Sequence, residues 1–354
     1  MDSSPASGRD EFQENEENQE LFEHFRFQAD PGQSPLRVDK FLNNRLEGTS
    51  RTRIQGAAES GNILVNNRPV KSNHKIKPGD TIQVVLPEPP REIELIPENI
   101  PLDITYEDDH LIVVNKEAGM VVHPGYGNYT GTMINALMFH LSGNPLFEAG
   151  EIRPGLVHRI DKNTSGLLVV AKSEFALNHL ARQFFERSTG RVYEALIWGV
   201  PHQKEGTITG NIGRNPKNRK VMTLFDDESQ GKHAVTHYSV IEELGYVSLI
   251  ECRLETGRTH QIRVHLSHSG HPLFNDHEYG GDRILRGTTF SKYQQFVRNC
   301  FDILPRQALH AKELSFSHPV SGERMAFKAP LPDDMSRLLE KWRGYTAGRR
   351  AGTT

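Results

Sequence analysis

The stretch Arg153-Pro-Gly-Leu-Val-His-Arg-Ile-Asp-Lys-Asn-Thr-Ser-Gly-Leu-Leu-Val-Val-Ala-Lys172 has two unlike halves. The second, Leu167–Ala171, is an unbroken apolar run, as expected of a strand covered on both faces. The first gathers His158, Arg159, Asp161, Lys162, Asn163, Thr164 and Ser165 and reads as a polar loop entering that strand. Chemistry is commonly carried on such loops, held by the scaffold beneath them. Asp161 could attack as a nucleophile, act as a base, or cap an Asx turn. Residue type alone leaves all three open.

Working outward, strand-like segments cluster rather than alternate with helices. Leu111–Asn115, Arg191–Trp198, Ala234–Ile241 and Tyr246–Leu254 carry β-branched and aromatic residues. Helical spacing falls at Thr132–Leu141, Glu174–Arg187 and Thr259–Ser267, and Arg337–Arg350 reads as a closing helix. This pattern predicts an α+β domain over 102–340 with a mixed or antiparallel sheet. Gly281–Phe301 carries no readable motif.

The 354 residues suit about two domains. With 36% hydrophobic and 25% charged residues the chain is globular, and no apolar run approaches the ~20 residues of a membrane span. Cys252 and Cys300 cannot form a disulfide framework or a four-cysteine zinc site. His260, His265, His268, His271 and His277 cluster, but without a metal-binding signature such as H-E-x-x-H, so no metal is expected. No basic-then-apolar leader is visible, and a cytoplasmic address is expected.

The formal charge of -3 argues against a nucleic-acid partner until it is divided by region. Residues 1–30, read as an acidic disordered tail, hold nine acids and two bases. Phe22, Phe25 and Phe27 within them suit an edge strand or simple packing. Residues 35–88 hold nine bases and five acids and read as helix, helix, strand, strand, with Ser50 capping the second helix. A proline-rich linker follows at 89–101, and 341–354 form a basic C-terminal tail. Lys40, Arg51 and Arg53 fall on the helix pair or its loop, where they could meet phosphates.

Two resemblances sharpen this reading. Arg37-Val-Asp-Lys-Phe-Leu, Ser50-Arg-Thr-Arg-Ile, Gly61-Asn-Ile-Leu-Val-Asn and Lys77-Pro-Gly-Asp resemble an S4 RNA-binding domain. The stretch around Asp161 resembles the catalytic motif of RluA-type pseudouridine synthases, His-Arg-(Leu/Ile)-Asp-x-x-Thr-Ser-Gly. Arg191-Val-Tyr-Glu-Ala and Leu254-Glu-Thr-Gly-Arg-Thr-His-Gln-Ile-Arg-Val-His-Leu266 resemble further family blocks, as do Gly119-Met-Val-Val-His-Pro-Gly125 and Pro305-Arg-Gln-Ala-Leu-His-Ala311. The combination is most similar to the RluD-like, large-subunit rRNA members.

The resemblance implies isomerisation of uridine to pseudouridine in RNA, without a cofactor, by a monomeric enzyme with no membrane partner. It implies Asp161 as the catalytic aspartate, Tyr193 against the target base and Arg263 as the partner of Asp161. Arg159 and His158 are implied at the flipped base, with Arg258 as a further RNA contact. The basic loop bearing Arg214, Lys217, Arg219 and Lys220 is implied beside the site. A non-catalytic S4-type assembly factor and a synthase acting on tRNA are the alternatives. Asn275 departs from the family's usual glycine, and asparagine tolerates the left-handed turn that such a glycine serves.

Overall fold

The computed structural model describes residues 21–46, 49–87, 95–125, 127–148, 154–216, 218, 220–225, 227 and 229–351. The chain divides into two compact units, one drawn from residues up to 43 and 49–92, the other from 44–48 and 93 onward.

The first unit begins with β1 (Phe22–Gln28), followed by β2 (Leu36–Arg37), α1 (Val38–Asn43) and α2 (Arg51–Glu59). Then come β3 (Ile63–Val65), β4 (Arg68–Pro69), β5 (Lys75–Ile76) and β6 (Thr81–Leu86). The strands form an antiparallel sheet in the order β1-β6-β3-β4, and β2 pairs with β5. Ser50 caps α2 by accepting from the Arg53 N–H, satisfying a donor that the helix start leaves open. Residues 22–28 are therefore part of this unit, and the tail drawn to residue 30 is corrected at that end. Phe22, His24, Phe25 and Phe27 are half-buried, with Phe27 edge-on to Phe41 at 6.3 Å between ring centroids.

The second unit contains β7 (Ile104–Glu107), β8 (Leu111–Lys116), α3 (Met133–His140), α4 (Pro145–Glu148), β9 (Ser165–Ala171) and α5 (Glu174–Phe185). It continues with β10 (Gly190–Trp198), β11 (Glu205–Arg214), β12 (Met222–Phe225), β13 (Lys232–Glu243), β14 (Val247–Leu254) and α6 (Gln261–His268). The last elements are α7 (Ser291–Ile303), β15 (Leu309–Ser317), β16 (Arg324–Lys328) and α8 (Asp333–Ala351). Among the described residues its strands form one sheet, ordered β12-β11-β13-β14-β10-β15-β9-β8-β7, with β16 on β15. Every pairing is antiparallel except β15 with β9, so the expected α+β class with a mixed sheet is what the chain adopts.

The continuous apolar runs follow from cover on both faces. In β8, Ile112 and Val114 join one core while Leu111 and Val113 join another; β9 divides Leu168 and Val170 from Leu167 and Val169 in the same way. The first core packs against α3 and α6, and the second against α5. A third gathers Leu196 and Trp198 of β10 with α7 and α8 through Tyr293, Val297, Leu338 and Trp342.

Several expectations change here. Gly281–Phe301 contains most of α7, whose Tyr293, Val297 and Cys300 face the third core. The basic tail assigned to 341–354 is helical through Ala351 as part of α8. In the linker, Leu95 packs on the first core and the Ile96 carbonyl accepts from the Asn135 side chain at 2.8 Å. Residues 95–101 thus belong to the folded second unit rather than to a separate proline-rich linker.

Candidate active site

Asp161 lies in the loop entering β9, and that loop is fixed by its carbonyls. The Asp161 carbonyl accepts from the Thr164 N–H at 3.0 Å. The Lys162 carbonyl accepts from the Gly119 N–H at 2.8 Å and from Lys116 Nζ at 3.0 Å. The Asn163 carbonyl accepts from Arg306 Nη1 at 3.0 Å. The loop's exit is pinned at Gly166 (φ 115°), opposite Ala311 in the parallel pair; a Cβ there would lie 2.2 Å from the Ala311 carbonyl oxygen.

Lys116 is fully buried at the end of β8 and also donates to the carbonyls of Glu117 and Met120, at 2.6 and 2.9 Å. Burial and the Arg306 charge push its ammonium down to about 7, against the pull of Asp161 and Glu117. Arg306, 6% exposed, is clamped by Asp334 through Nε and Nη2 at 2.7 and 2.9 Å. Sequence reasoning missed both residues as parts of the site. A lysine ending a strand carries no local signal of burial, and Arg306 acts through a carboxylate 28 positions away.

Arg263, in the first turn of α6, reaches Asp161 from an element 102 residues further along the chain. Its Nη1 donates to Asp161 Oδ2 at 3.2 Å. Nε and Nη2 clamp Asp276 at 2.7 and 2.8 Å, and Nη2 also donates to Glu278 at 2.6 Å. The guanidinium carbon lies 4.8 Å from the centroid of the Tyr279 ring. Burial works against its charge, but Asp276, Asp161 and Glu278 together hold the guanidinium protonated, above its ordinary value. Asp161 Oδ1 has no hydrogen-bond partner among the described residues.

The turn before α6 is stitched by buried Gln261. Its Oε1 accepts from Thr256 Oγ1 and the Arg258 N–H at 2.7 and 3.0 Å, and its Nε2 donates to the Val235 carbonyl at 2.9 Å. His260 caps α6 in the left-handed region (φ 56°), with Nε2 3.8 Å from Asp161 Oδ2 and Nδ1 2.8 Å from the Tyr279 hydroxyl. That hydroxyl accepts from the Met222 N–H at 2.9 Å, so its own proton is free to go to His260 Nδ1. Burial pushes His260 down, against the pull of Asp161. Asn275 adopts φ 58°, the turn its substitution for glycine requires, and donates to the Leu304 carbonyl at 2.6 Å.

Tyr193 is 8% exposed on β10, opposite Cys252 of β14 and Ala311 of β15, beside a register shift. Burial pushes its hydroxyl up, aided by Asp161 and opposed by Arg191. Asp161, Tyr193, Arg263, Arg159, His158 and Arg258 all line one cleft of about 430 Å³. Arg159 is exposed at its edge, and Arg258 donates through Nε to the His233 carbonyl at 3.0 Å.

His158 does not offer RNA a charge. Its Nε2 accepts from the Val169 N–H at 3.0 Å, its ring stacks on Phe184 at 4.5 Å, and burial with the Arg191 charge pushes it down to about 3. Its contribution is to the cleft wall. Arg214 ends β11 and Lys220 precedes β12; neither lines the cleft, while Lys217 and Arg219 lie outside the described residues. The basic loop is therefore the turn of a hairpin, with β11 and β12 paired from Asn211–Phe225 to Arg214–Met222.

In the first unit, Lys40 and Arg53 are exposed. Arg51 is held by buried Asp39, which also binds Arg37 and Gln55. Burial alone would raise the Asp39 carboxyl, but the hydrogen bonds from Gln55, Arg37 and Arg51 prevail and hold it at about 2.

A carboxylate paired with an arginine, a buried tyrosine and further arginines thus meet in one cleft. Residues 110–268 match the model of the RNA pseudouridylate synthase family, and residues 36–82 match the S4 domain. The chain belongs to the RNA pseudouridine synthases. It is 51% identical over 313 residues to an uncharacterized RNA pseudouridine synthase of Chlorobaculum parvum, covering 88% of this chain and 95% of the relative. It is 43% identical over 311 residues to the ribosomal large subunit pseudouridine synthase D of Zymomonas mobilis, covering 86% and 93%. The solved structure of human RNA pseudouridylate synthase domain containing 4 superposes with a TM-score of 0.51 at 25% identity, covering 68% of this chain and 92% of that one.

The family reaction breaks the N1–C1′ bond of uridine, turns the uracil, joins C5 to C1′, moves the C5 proton off and leaves N1 protonated. Atoms and electrons balance without a redox partner. Among the described residues no helix is long and apolar enough to cross a membrane.

Proposed function

We propose that the chain isomerises uridine in large-subunit ribosomal RNA, with Asp161 as the catalytic carboxylate. The pairing of Asp161 Oδ2 with Arg263 Nη1 at 3.2 Å carries this reading, because it leaves Oδ1 for the substrate. Positive charge develops on the sugar as the glycosidic bond breaks, and a carboxylate at that position stabilises it, bonds to C1′ or takes the C2′ proton. Arg263 keeps the carboxylate ionised and aimed. Tyr193 packs on the detached uracil and assists removal of the C5 proton. Arg159 fills the gap that the flipped base leaves.

The ribosomal target is supported by likeness to the large-subunit enzymes of Zymomonas mobilis and Neisseria meningitidis, the latter 45% identical over 305 residues. It fits the basic S4 unit, whose Lys40, Arg51 and Arg53 we assign to phosphates. Arg258, Arg214, Lys217, Arg219 and Lys220 are assigned to further RNA contacts. We assign the enzyme a monomeric state and a cytoplasmic address, where ribosomal RNA is made. Incubation with C5-tritiated, unmodified large-subunit RNA releases tritium to water, and Asp161→Asn stops it. Release that persists in the variant overturns the assignment of Asp161; release from tRNA alone overturns the ribosomal target.

A further inference from the structure

We propose that the cleft holds a second anion site, formed by Arg187 and Arg191 with Phe185 at its lip, which binds the RNA phosphate and base adjacent to the target uridine. This rests on the RNA reading above and adds a nucleotide to it.

Arg191 lies on β10 two residues before Tyr193. Side chains so spaced share a face about 7 Å apart along the strand. The base held at Tyr193 and a group held at Arg191 are thus neighbours in the same cleft. Arg191 is half-buried yet nearly unsatisfied: Nη2 reaches the Glu255 carbonyl at only 3.4 Å, and Nε has no partner. It lies over Phe184, 5.6 Å from the ring centroid, and reaches the opposite wall because Gly257 lacks a side chain. A Cβ on Gly257 would lie 2.6 Å from Arg191 Nη1.

Arg187 follows α5 in the left-handed region (φ 59°), unusual for a residue other than glycine, asparagine or aspartate. Its exposed side chain lines the same cleft, and burial, opposed by Tyr193 and reinforced by the Arg187 charge, pulls Arg191 below its ordinary value. Among the described residues no carboxylate pairs with Arg187, Arg191 or Arg159, whereas Arg263 on the same cleft meets three. Uncompensated guanidinium charge at a part-buried position is unfavourable until an anion arrives.

Phe185 supplies the second half. It lines the cleft and is 87% exposed, while its neighbour Phe184 is covered by His158 and Arg191. An exposed ring beside forked donors suits a nucleotide, with the ring stacking on the base and the guanidinium groups holding the phosphate.

The test is equilibrium binding of an unmodified large-subunit RNA transcript across a range of salt, which needs no turnover. Arg187→Ala weakens binding about tenfold and reduces the magnitude of the log Kd against log salt slope by about 0.7–0.9. Phe185→Ala weakens binding about fivefold to tenfold without changing the slope, because it removes stacking and no charge. Arg191→Lys keeps the slope but loses affinity, since the ammonium keeps the charge and not the fork. Arg182→Ala removes a charge from α5 outside the cleft and leaves both quantities unchanged. Unchanged affinity in Arg187→Ala and Phe185→Ala, or an equal fall in Arg182→Ala, overturns the subsite. Tritium release by the unaltered chain is measured separately, so a failure of the proposed reaction is distinguishable from a failure of the subsite.

Discussion

Replacing Asp276 with asparagine isolates the function of the clamp on Arg263. The two residues have nearly the same volume, so packing is kept. Asp276 is fully buried; Oδ1 accepts from Arg263 Nη2 and from the N–H groups of Glu278 and Tyr279 at 3.1 and 3.3 Å, while Oδ2 accepts from Arg263 Nε. An asparagine oxygen can keep the first three bonds. Its amide then faces Arg263 Nε, donor against donor, with the buried counter-charge gone. Breaking a buried pair in this way costs about 3–5 kcal/mol. For a domain of this size that lowers Tm by about 10 °C.

The guanidinium would also relax toward Glu278, away from Asp161. A displacement of about 1 Å at reacting groups is worth about 10²-fold in rate. Tritium release under saturating RNA, at 25 °C and corrected for the folded fraction, should therefore fall about 10²-fold, with KM little changed. Glu278→Gln loses one half-exposed bond and should cost less than about 1 kcal/mol and little rate. If Asp276→Asn lowers Tm as expected yet keeps turnover per folded molecule within threefold, the clamp does not aim Asp161 and the argument fails.

Tyr193→Phe keeps the ring and removes the hydroxyl; tritium release should fall 10²- to 10⁴-fold, as for loss of a general acid or base, with binding retained, and an unchanged rate would confine Tyr193 to stacking. Asp39 has a folded pKa of about 2, below its ordinary value near 3.9, so its stabilisation is present above about pH 4 and is lost as pH falls through about 2. The stability gap between the unaltered chain and Asp39→Asn, followed by denaturant unfolding, should shrink by about 2–3 kcal/mol from pH 5 to pH 2; a constant gap would exclude the titration. Gly166→Ala should cost about 3 kcal/mol or more, because the added carbon meets the Ala311 carbonyl at 2.2 Å, and an unshifted denaturation midpoint would contradict that contact.

The legibility of the fold and site followed from the range over which each signal acts. The Asp161 loop and β9 were readable because a polar cluster meets an apolar run within one stretch. The helix pair around Ser50 was readable from its cap. Arg263 lies 102 residues from Asp161, and only the family resemblance joined them. The parallel insertion of β15 between β9 and β10 depends on long-range pairing, which leaves no periodic mark. The α7 helix is different: Tyr293, Phe296, Val297 and Cys300 recur at helical spacing, so the signal was present but sparse. Lys116 and the Arg187–Arg191 pair are ordinary basic residues in sequence, and only the lack of an ion-paired carboxylate among the described residues sets the pair apart.

The brace from Arg306 to the Asn163 carbonyl depends in turn on Asp334, in the first turn of α8. Translation order therefore enters the chemistry. The Asp161 loop is synthesised early, but its last support comes from a residue 173 positions later. A nascent chain would carry the Asp161 carboxylate long before it could hold it still, and the loop would be fixed abruptly once Asp334 is in place. Arrested chains of increasing length should gain protease resistance at residues 158–164 only once Asp334 has emerged from the ribosome; earlier protection would break the link.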